Sequence, residues 1–206
     1  VVTIACYLTA MKSTLFSAVV LLSSLQTSVF AQQTKVSFAV GSCAELSTPE
    51  REEIFTSILA KKPEFFFWLG DNTYYKSSEW NDSTSMADAW TRRHASPPLA
   101  AMMSAIPQRA IWDDHDYGPN NANGDFALKA TALAHFKDYW ANPGYGLPDA
   151  AGTFTRVPLG DVELFLLDDR YHRDDDASTD PARTMLGAAQ LAWLRNALRD
   201  SRATFK

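Results

Sequence analysis

Three times along this chain a short apolar run breaks off into a cluster of small and polar residues. Residues 36–40 lead into Gly41-Ser42-Cys43, residues 65–69 into Gly70-Asp71-Asn72-Thr73-Tyr74, and residues 110–112 into Asp113-Asp114-His115-Asp116. Apolar runs this short, closed by glycine or acidic residues, read as strands. Their polar ends are expected to gather on one side of a sheet, where open α/β folds bind ligands.

The rest of the chain supplies the other elements of such a fold. Strands are expected over 35–40, 64–69, 108–112, 152–158 and 162–167. A helix over 50–60 follows Thr48-Pro49, an N-cap residue and a first-turn proline, and offers Ile54, Ile58 and Leu59 to a core. Further helices are expected over 86–94, 98–105, 125–140 and 188–200, the last with Leu191, Leu194, Ala197 and Leu198 on one side. This alternation implies an α/β or α+β layered sheet domain with one core, and no linker or repeat divides it. The polar stretches 116–125 and 173–181 read as loops. Asp174-Asp175-Asp176 is expected to be a solvated acidic loop, with calcium binding as the alternative, and Asn81-Asp82-Ser83 matches a glycosylation acceptor pattern.

The N-terminal residues carry an export signal. Met11-Lys12, an apolar core over 15–25 and the small residues Val29 and Ala31 form a secretory signal peptide over 11–31, cleaved before Gln32. Residues 1–10 then represent upstream translation, and 32–206 the exported domain, secreted or periplasmic. Ser23, Ser24, Gln26, Thr27 and Ser28 interrupt the apolar run, which argues against a stable membrane anchor. The whole chain carries a formal net charge of −5, so it has no electrostatic reason to bind a nucleic-acid polymer. Beyond residue 31 only Cys43 remains as a thiol, which is to be buried, paired with another chain, or a metal ligand. Its place after a strand favours the metal.

Five motifs in order give the chain a family likeness. Residues 38–43 (Phe-Ala-Val-Gly-Ser-Cys), 69–74 (Leu-Gly-Asp-Asn-Thr-Tyr), 112–118 (Trp-Asp-Asp-His-Asp-Tyr-Gly), 167–171 (Leu-Asp-Asp-Arg-Tyr) and 186–194 (Leu-Gly-Ala-Ala-Gln-Leu-Ala-Trp-Leu) resemble those of the alkaline phosphatase D family. That family belongs to the calcineurin-like metallophosphoesterases, and its Gly-Asp-x-x-Tyr element is shared with purple acid phosphatases. The resemblance implies a metallophosphoesterase-type β-sheet sandwich flanked by helices. It also implies hydrolysis of phosphomonoesters or phosphodiesters by a metal-activated hydroxide, on a small phosphate-ester substrate. A downstream Gly-Asp-x-His element expected in the family does not occur, so the sequence reads as incomplete at its C-terminus, with Thr204-Phe205 opening a further strand. Asp169 stands where the motif commonly has threonine.

The resemblance gives each polar residue a role. Asp71 bridges two ions, because one carboxylate can offer an oxygen to each. Tyr74 and Cys43 supply phenolate and thiolate, anionic donors suited to Fe³⁺; Tyr75 is the alternative tyrosine, though the spacing from Asp71 favours Tyr74. Asp114 is the ligand for a second ion, Ca²⁺ by family likeness, with Asp113 the weaker candidate. His115 is the general acid or transition-state stabiliser, since imidazole titrates near neutrality. Asn72 and Arg170 are the substrate-binding candidates: Asn72 orients the site, and Arg170 either contacts phosphate or braces the fold. His94, His135 and His172 are expected to be structural or exposed.

Other functions fit less well. The chain lacks the Gly-x-Ser-x-Gly of a serine esterase, the His-Glu-x-x-His of a zinc peptidase and a glycine-rich phosphate loop. A non-catalytic calcium-binding surface module, or an inactive fragment, is the alternative. An EF-hand fails, because Gly124 at its sixth position puts Pro119 first and Ala130 twelfth.

Overall fold

A computed structural model describes residues 36–46 and 48–206. The signal-peptide reading of 11–31 and the reading of 1–10 fall outside the described residues. Among them no helix is long and apolar enough to cross a membrane.

Strands β1 (Phe38–Gly41), β2 (Phe65–Leu69) and β3 (Gln108–Ile111) form a parallel sheet in the order β1-β2-β3, with Val40 beside Phe67 and Trp68 beside Ala110. The central strand is apolar on both faces, as a strand covered on both sides must be. Because side chains alternate, Phe66 and Trp68 enter one core with Ala110, Trp112, Phe55, Trp90, Leu99 and Phe136. Phe67 enters a second core with Val157, Leu159 and Leu166, and Phe65 and Ile111 pack against it. Val157, Leu159 and Leu166 belong to an antiparallel hairpin of β4 (Thr155–Leu159) and β5 (Val162–Leu166). The sheet is thus layered between helices and a hairpin, a mixed α/β arrangement in agreement with the expected class.

Helices α1 (Pro49–Lys61), α2 (Ser83–His94), α3 (Pro97–Ala105) and α5 (Lys129–Tyr139) are associated with the first core. α1 begins after Thr48 and stops at Lys62, whose left-handed backbone returns its N–H to Leu59 O at 3.1 Å. Phe55 is its buried residue, and Ile54 is exposed rather than packed. α2 starts earlier than the periodicity suggests, because Asp82 caps it by accepting from Ser85 N at 2.9 Å. The same Asp82 is the middle residue of the glycosylation-like pattern.

Two further differences from expectation matter, and at Phe205 the expected strand start does pair. The loop expected over 116–125 begins in a helix: α4 (Asp114–Tyr117) is a single helical turn with Asp116 fully buried. α6 (Ala188–Asp200) forms as expected, but it buries Gln190 and Ala197 and exposes Leu198. Phe205 meets Val162 in an isolated parallel bridge, with Glu163 N donating to Phe205 O at 2.8 Å. The acidic triplet is held by local bonds, Asp174 accepting from Thr184 N and Asp176 pairing with Arg173 at 2.8 Å, so it follows the solvated-loop reading.

Candidate metal centre

The three polar clusters do meet at the C-terminal ends of the parallel strands. Cys43 N donates to Gly70 O at 3.2 Å and Ala44 N to Asp71 O at 3.0 Å, which stitches the loop after β1 to the loop after β2. Gly70 has φ +98°, and a Cβ there would lie 2.7 Å from that of Asp113, so the third loop closes against it. Cys43 (φ 54°) and Asp71 (φ 52°) also adopt the left-handed region, where non-glycine residues carry about 1 kcal/mol or more of strain.

Asp71 is the hub. Its Oδ2 accepts from Tyr74 OH at 3.2 Å and faces Cys43 Sγ at 3.6 Å, while Oδ1 accepts from His115 N at 3.4 Å. One ligand atom each from Asp71, Asp114 and His115 falls within 4.8 Å of the others. The Tyr74 and His115 rings lie with centroids 4.6 Å apart. Tyr75 turns the other way, accepting from Trp90 Nε1 at 3.2 Å and donating to Asp116 O at 3.3 Å in the core. Burial, then the charges of Asp71 and Cys43, push the Tyr74 phenol far above its ordinary range. A carboxylate, a thiol and a phenol packed together repel as anions, and a cation among them reverses that. The donor chemistry therefore fits a metal ion.

The residues around this hub do something different. Asp113 caps α4: its Oδ1 accepts from Asp114 N at 2.9 Å and from Arg170 Nε at 2.6 Å, and Arg170 Nη2 pairs with the same oxygen. Asp116 completes the reciprocal cap by accepting from Asp113 N at 2.7 Å. Asn72 is fully buried and points away from the cluster, donating to Ile111 O at 2.7 Å and Asp116 Oδ2 at 2.6 Å. It ties the loop after β2 to the end of β3. Burial holds the Asp116 carboxyl well above its usual range despite these donors. Asp114 is set in place by Asn121, whose N–H donates to Oδ2 at 2.6 Å.

Arg170 is anchored from behind. Asp168 Oδ1 accepts from the N–H groups of Arg170 and Tyr171, each at 2.9 Å, and Oδ2 from Thr153 N at 2.8 Å. Gln190 then clasps the Asp168 backbone from both sides, at 2.8 and 2.7 Å. Arg170 in turn pairs with Asp113. Asp169 lies beside it, its carboxyl raised to about 6 by burial and then by the Asp113 charge.

The other histidines have ordinary partners: His94 meets Trp90 O, His135 meets Ser83 Oγ and His172 meets Ala151 O. Reasoning from sequence missed Asp116, Asn121 and Gln190 as organising residues. For Gln190 a signal existed, a lone amide on the apolar side of α6. A cavity of about 480 Å³ adjoins the centre, with Tyr74 and His115 on its wall.

This layered α/β frame gathers potential metal-ligating side chains at the ends of its parallel strands. The PhoD-like phosphatase family model matches residues 38–206, and the chain belongs to that family. It is 26% identical over 209 residues to "Alkaline phosphatase D" of Bacillus subtilis (strain 168), covering 82% of this chain and 36% of the relative. A solved structure, "Structure of PhoD", superposes with a TM-score of 0.70 at 24% identity, over 82% of this chain and 40% of the other. The chain therefore spans little more than a third of the curated relative's length, and the structural likeness bears on fold.

Proposed function

We propose that this chain is part of an exported phosphoric ester hydrolase, acting as an alkaline phosphatase or phosphodiesterase on small phosphate esters and dependent on Fe³⁺ and Ca²⁺. The observation that carries the reading is the convergence of Cys43, Tyr74, Asp114 and His115 on the two oxygens of Asp71. Cys43 and Tyr74, on the Oδ2 side, suit the trivalent ion, and the Asp114 carboxylate suits calcium. When bound, such a pair of ions supplies charge neutralisation for phosphoryl oxygens and a water acidic enough to attack.

The chain's own residues do the remaining work. Asp71 holds both halves of the site at one carboxylate. His115, half-buried beside Tyr74, donates a proton to the departing alkoxide. Asp113, anchored by Arg170, fixes the first turn of α4, and so fixes Asp114 and His115 together. Asn72 acts from beneath as a clasp and not as a substrate contact. Export follows from the leader over 11–31, which the sequence alone supports.

The test is to purify the full-length protein with iron and calcium supplied and to assay a chromogenic phosphate monoester and diester. Turnover that is lost on chelation and restored by the two metals supports the reading. Bound calcium without iron, and no turnover of either ester, contradicts it in favour of a binding module.

A further inference from the structure

Arg93 is the charge in this fold that the metal centre leaves unexplained. It lies on the inner side of α2, 6% exposed, and its Nε, Nη1 and Nη2 have no hydrogen-bond partner among the described residues. Its Cζ sits 4.6 Å from the Trp68 ring centroid and 5.5 Å from that of Trp140. Those faces attract the cation but give its N–H groups no oxygen to bind. Burial lowers its pKa to about 9, against an opposing pull from Asp116, so it stays charged at neutral pH. Buried charges are ordinarily paired, and one that is not points to a missing partner.

The cavity beside the metal centre supplies a place for that partner. Its wall includes Thr73, Tyr74, His115 and Arg93, and Lys76, Arg92 and Glu45 also border it. Arg92 is already paired with Glu79 at 2.9 Å. Thr73, 2% exposed, has an Oγ1 that likewise lacks a partner among the described residues. Two buried and unfulfilled donors thus share one cavity wall with the residues next to the reacting centre. At about 480 Å³ the cavity falls in the range of small-ligand sites.

We propose that Arg93 and Thr73 form an oxyanion subsite that holds a second phosphate, carried by the leaving group, while the phosphoryl group to be cleaved sits at Asp71 and His115. Arg93 borders the cavity while its guanidinium nitrogens are buried against Trp68 and Trp140, so engagement takes a rotation of the side chain away from those rings. In this poorly hydrated setting a fork of N–H donors grips a phosphate more strongly than a surface lysine does. The proposal rests on the phosphoesterase reading of the adjoining cluster and adds a substrate class to it.

The experiment compares wild type, Arg93→Met and Arg93→Lys in the full-length, metal-loaded protein. One ester has an uncharged leaving group; the other has a leaving group bearing a second phosphate. Arg93→Met is expected to raise KM for the second ester about 10- to 100-fold, the worth of charge-assisted hydrogen bonds. It should leave both constants for the first ester within about twofold. Arg93→Lys should recover part of the loss, and the ligand-free melting temperature of Arg93→Met should be unchanged or higher, since an unpaired buried cation is removed. Equal losses on both esters, no change on either, or a lowered melting temperature overturns the proposal. If wild type cleaves neither ester, the phosphoesterase reading has failed, and calorimetry with inorganic pyrophosphate judges the subsite alone. Binding lost in Arg93→Met then supports it, and equal binding overturns it.

Discussion

Asp113 and Asp114 adjoin in the chain yet belong to two regions of opposite character. Asp113 sits in a closed network in which each acceptor meets a donor: Arg170 and the α4 backbone bind it, Asp168 seats the Arg170 backbone, and Gln190 seats Asp168. Asp114 belongs to a cluster of potential anionic ligands, in which Asp71 accepts only weak, long hydrogen bonds from the Cys43 thiol, the Tyr74 phenol and the His115 backbone. A saturated network fixes geometry and needs nothing further. An electron-rich cluster is costly unless a cation joins it. Substitutions in the two regions should therefore fail differently, one in positioning and the other in binding and chemistry.

The largest effect belongs to Asp71. Asp71→Ala should reduce ester turnover to background and release bound metal, read by elemental analysis of the purified variant; retained metal would move the hub elsewhere. His115→Ala should keep its metal and lose about 10²- to 10⁴-fold in kcat, the usual worth of positioned acid–base catalysis. The loss should shrink for esters with good leaving groups, and a uniform loss accompanied by metal release would make His115 a ligand instead. On the braced side, Gln190→Ala and Arg170→Ala should retain measurable activity, with metal affinity or rate falling about 10- to 100-fold, as for residues that orient ligands from behind. If either matches Asp71→Ala in severity, the division between the two regions collapses.

The smallest effect is one of pH. The Asp169 carboxyl is raised from 3.8 to about 6, first by burial and then by Asp113, so the folded chain binds that proton more tightly than the unfolded chain. Its stabilising contribution is present below pH 3.8 and is lost as pH rises through about 6. Asp169→Asn should accordingly be more stable than wild type near neutrality, the gain fading as pH drops from about 6 to 3.8 in thermal melts. A gain independent of pH would assign the effect to something other than this charge.

Of these two regions, the cluster at the strand ends was legible in the sequence and the braced network was not. The three strand ends named the cluster because the apolar run of β2 admits only a buried central strand, and glycine and aspartate at its end mark a turn. The expected strands formed within a few residues for the same reason. What the sequence hid were roles that depend on partners far along the chain. The stretch 116–125 reads as a loop, and its start joins the helical turn α4 because Asp113 and Asp116 cap each other while Asn72 covers Asp116 from below. Asn72 and Arg170 look equally fit to touch substrate until their acceptors, Asp116 and Asp113, are seen. Leu198 fits the apolar stripe of α6 but ends exposed, because Gln190 and Ala197 occupy its buried side. Arg93 carries no local mark at all, since the rings that hold it come from β2 and the end of α5.

The central claim is that Cys43 and Tyr74, gathered on Asp71, hold a trivalent iron. The direct measurement is the visible absorption spectrum and iron content of the full-length protein beside its Cys43→Ser and Tyr74→Phe variants. Phenolate and thiolate bound to ferric iron give charge-transfer bands, so the wild type should be coloured, Tyr74→Phe should lose or shift its band, and Cys43→Ser should bind iron more weakly. Unchanged colour and iron in both variants, or a colourless wild type without iron, would contradict the account.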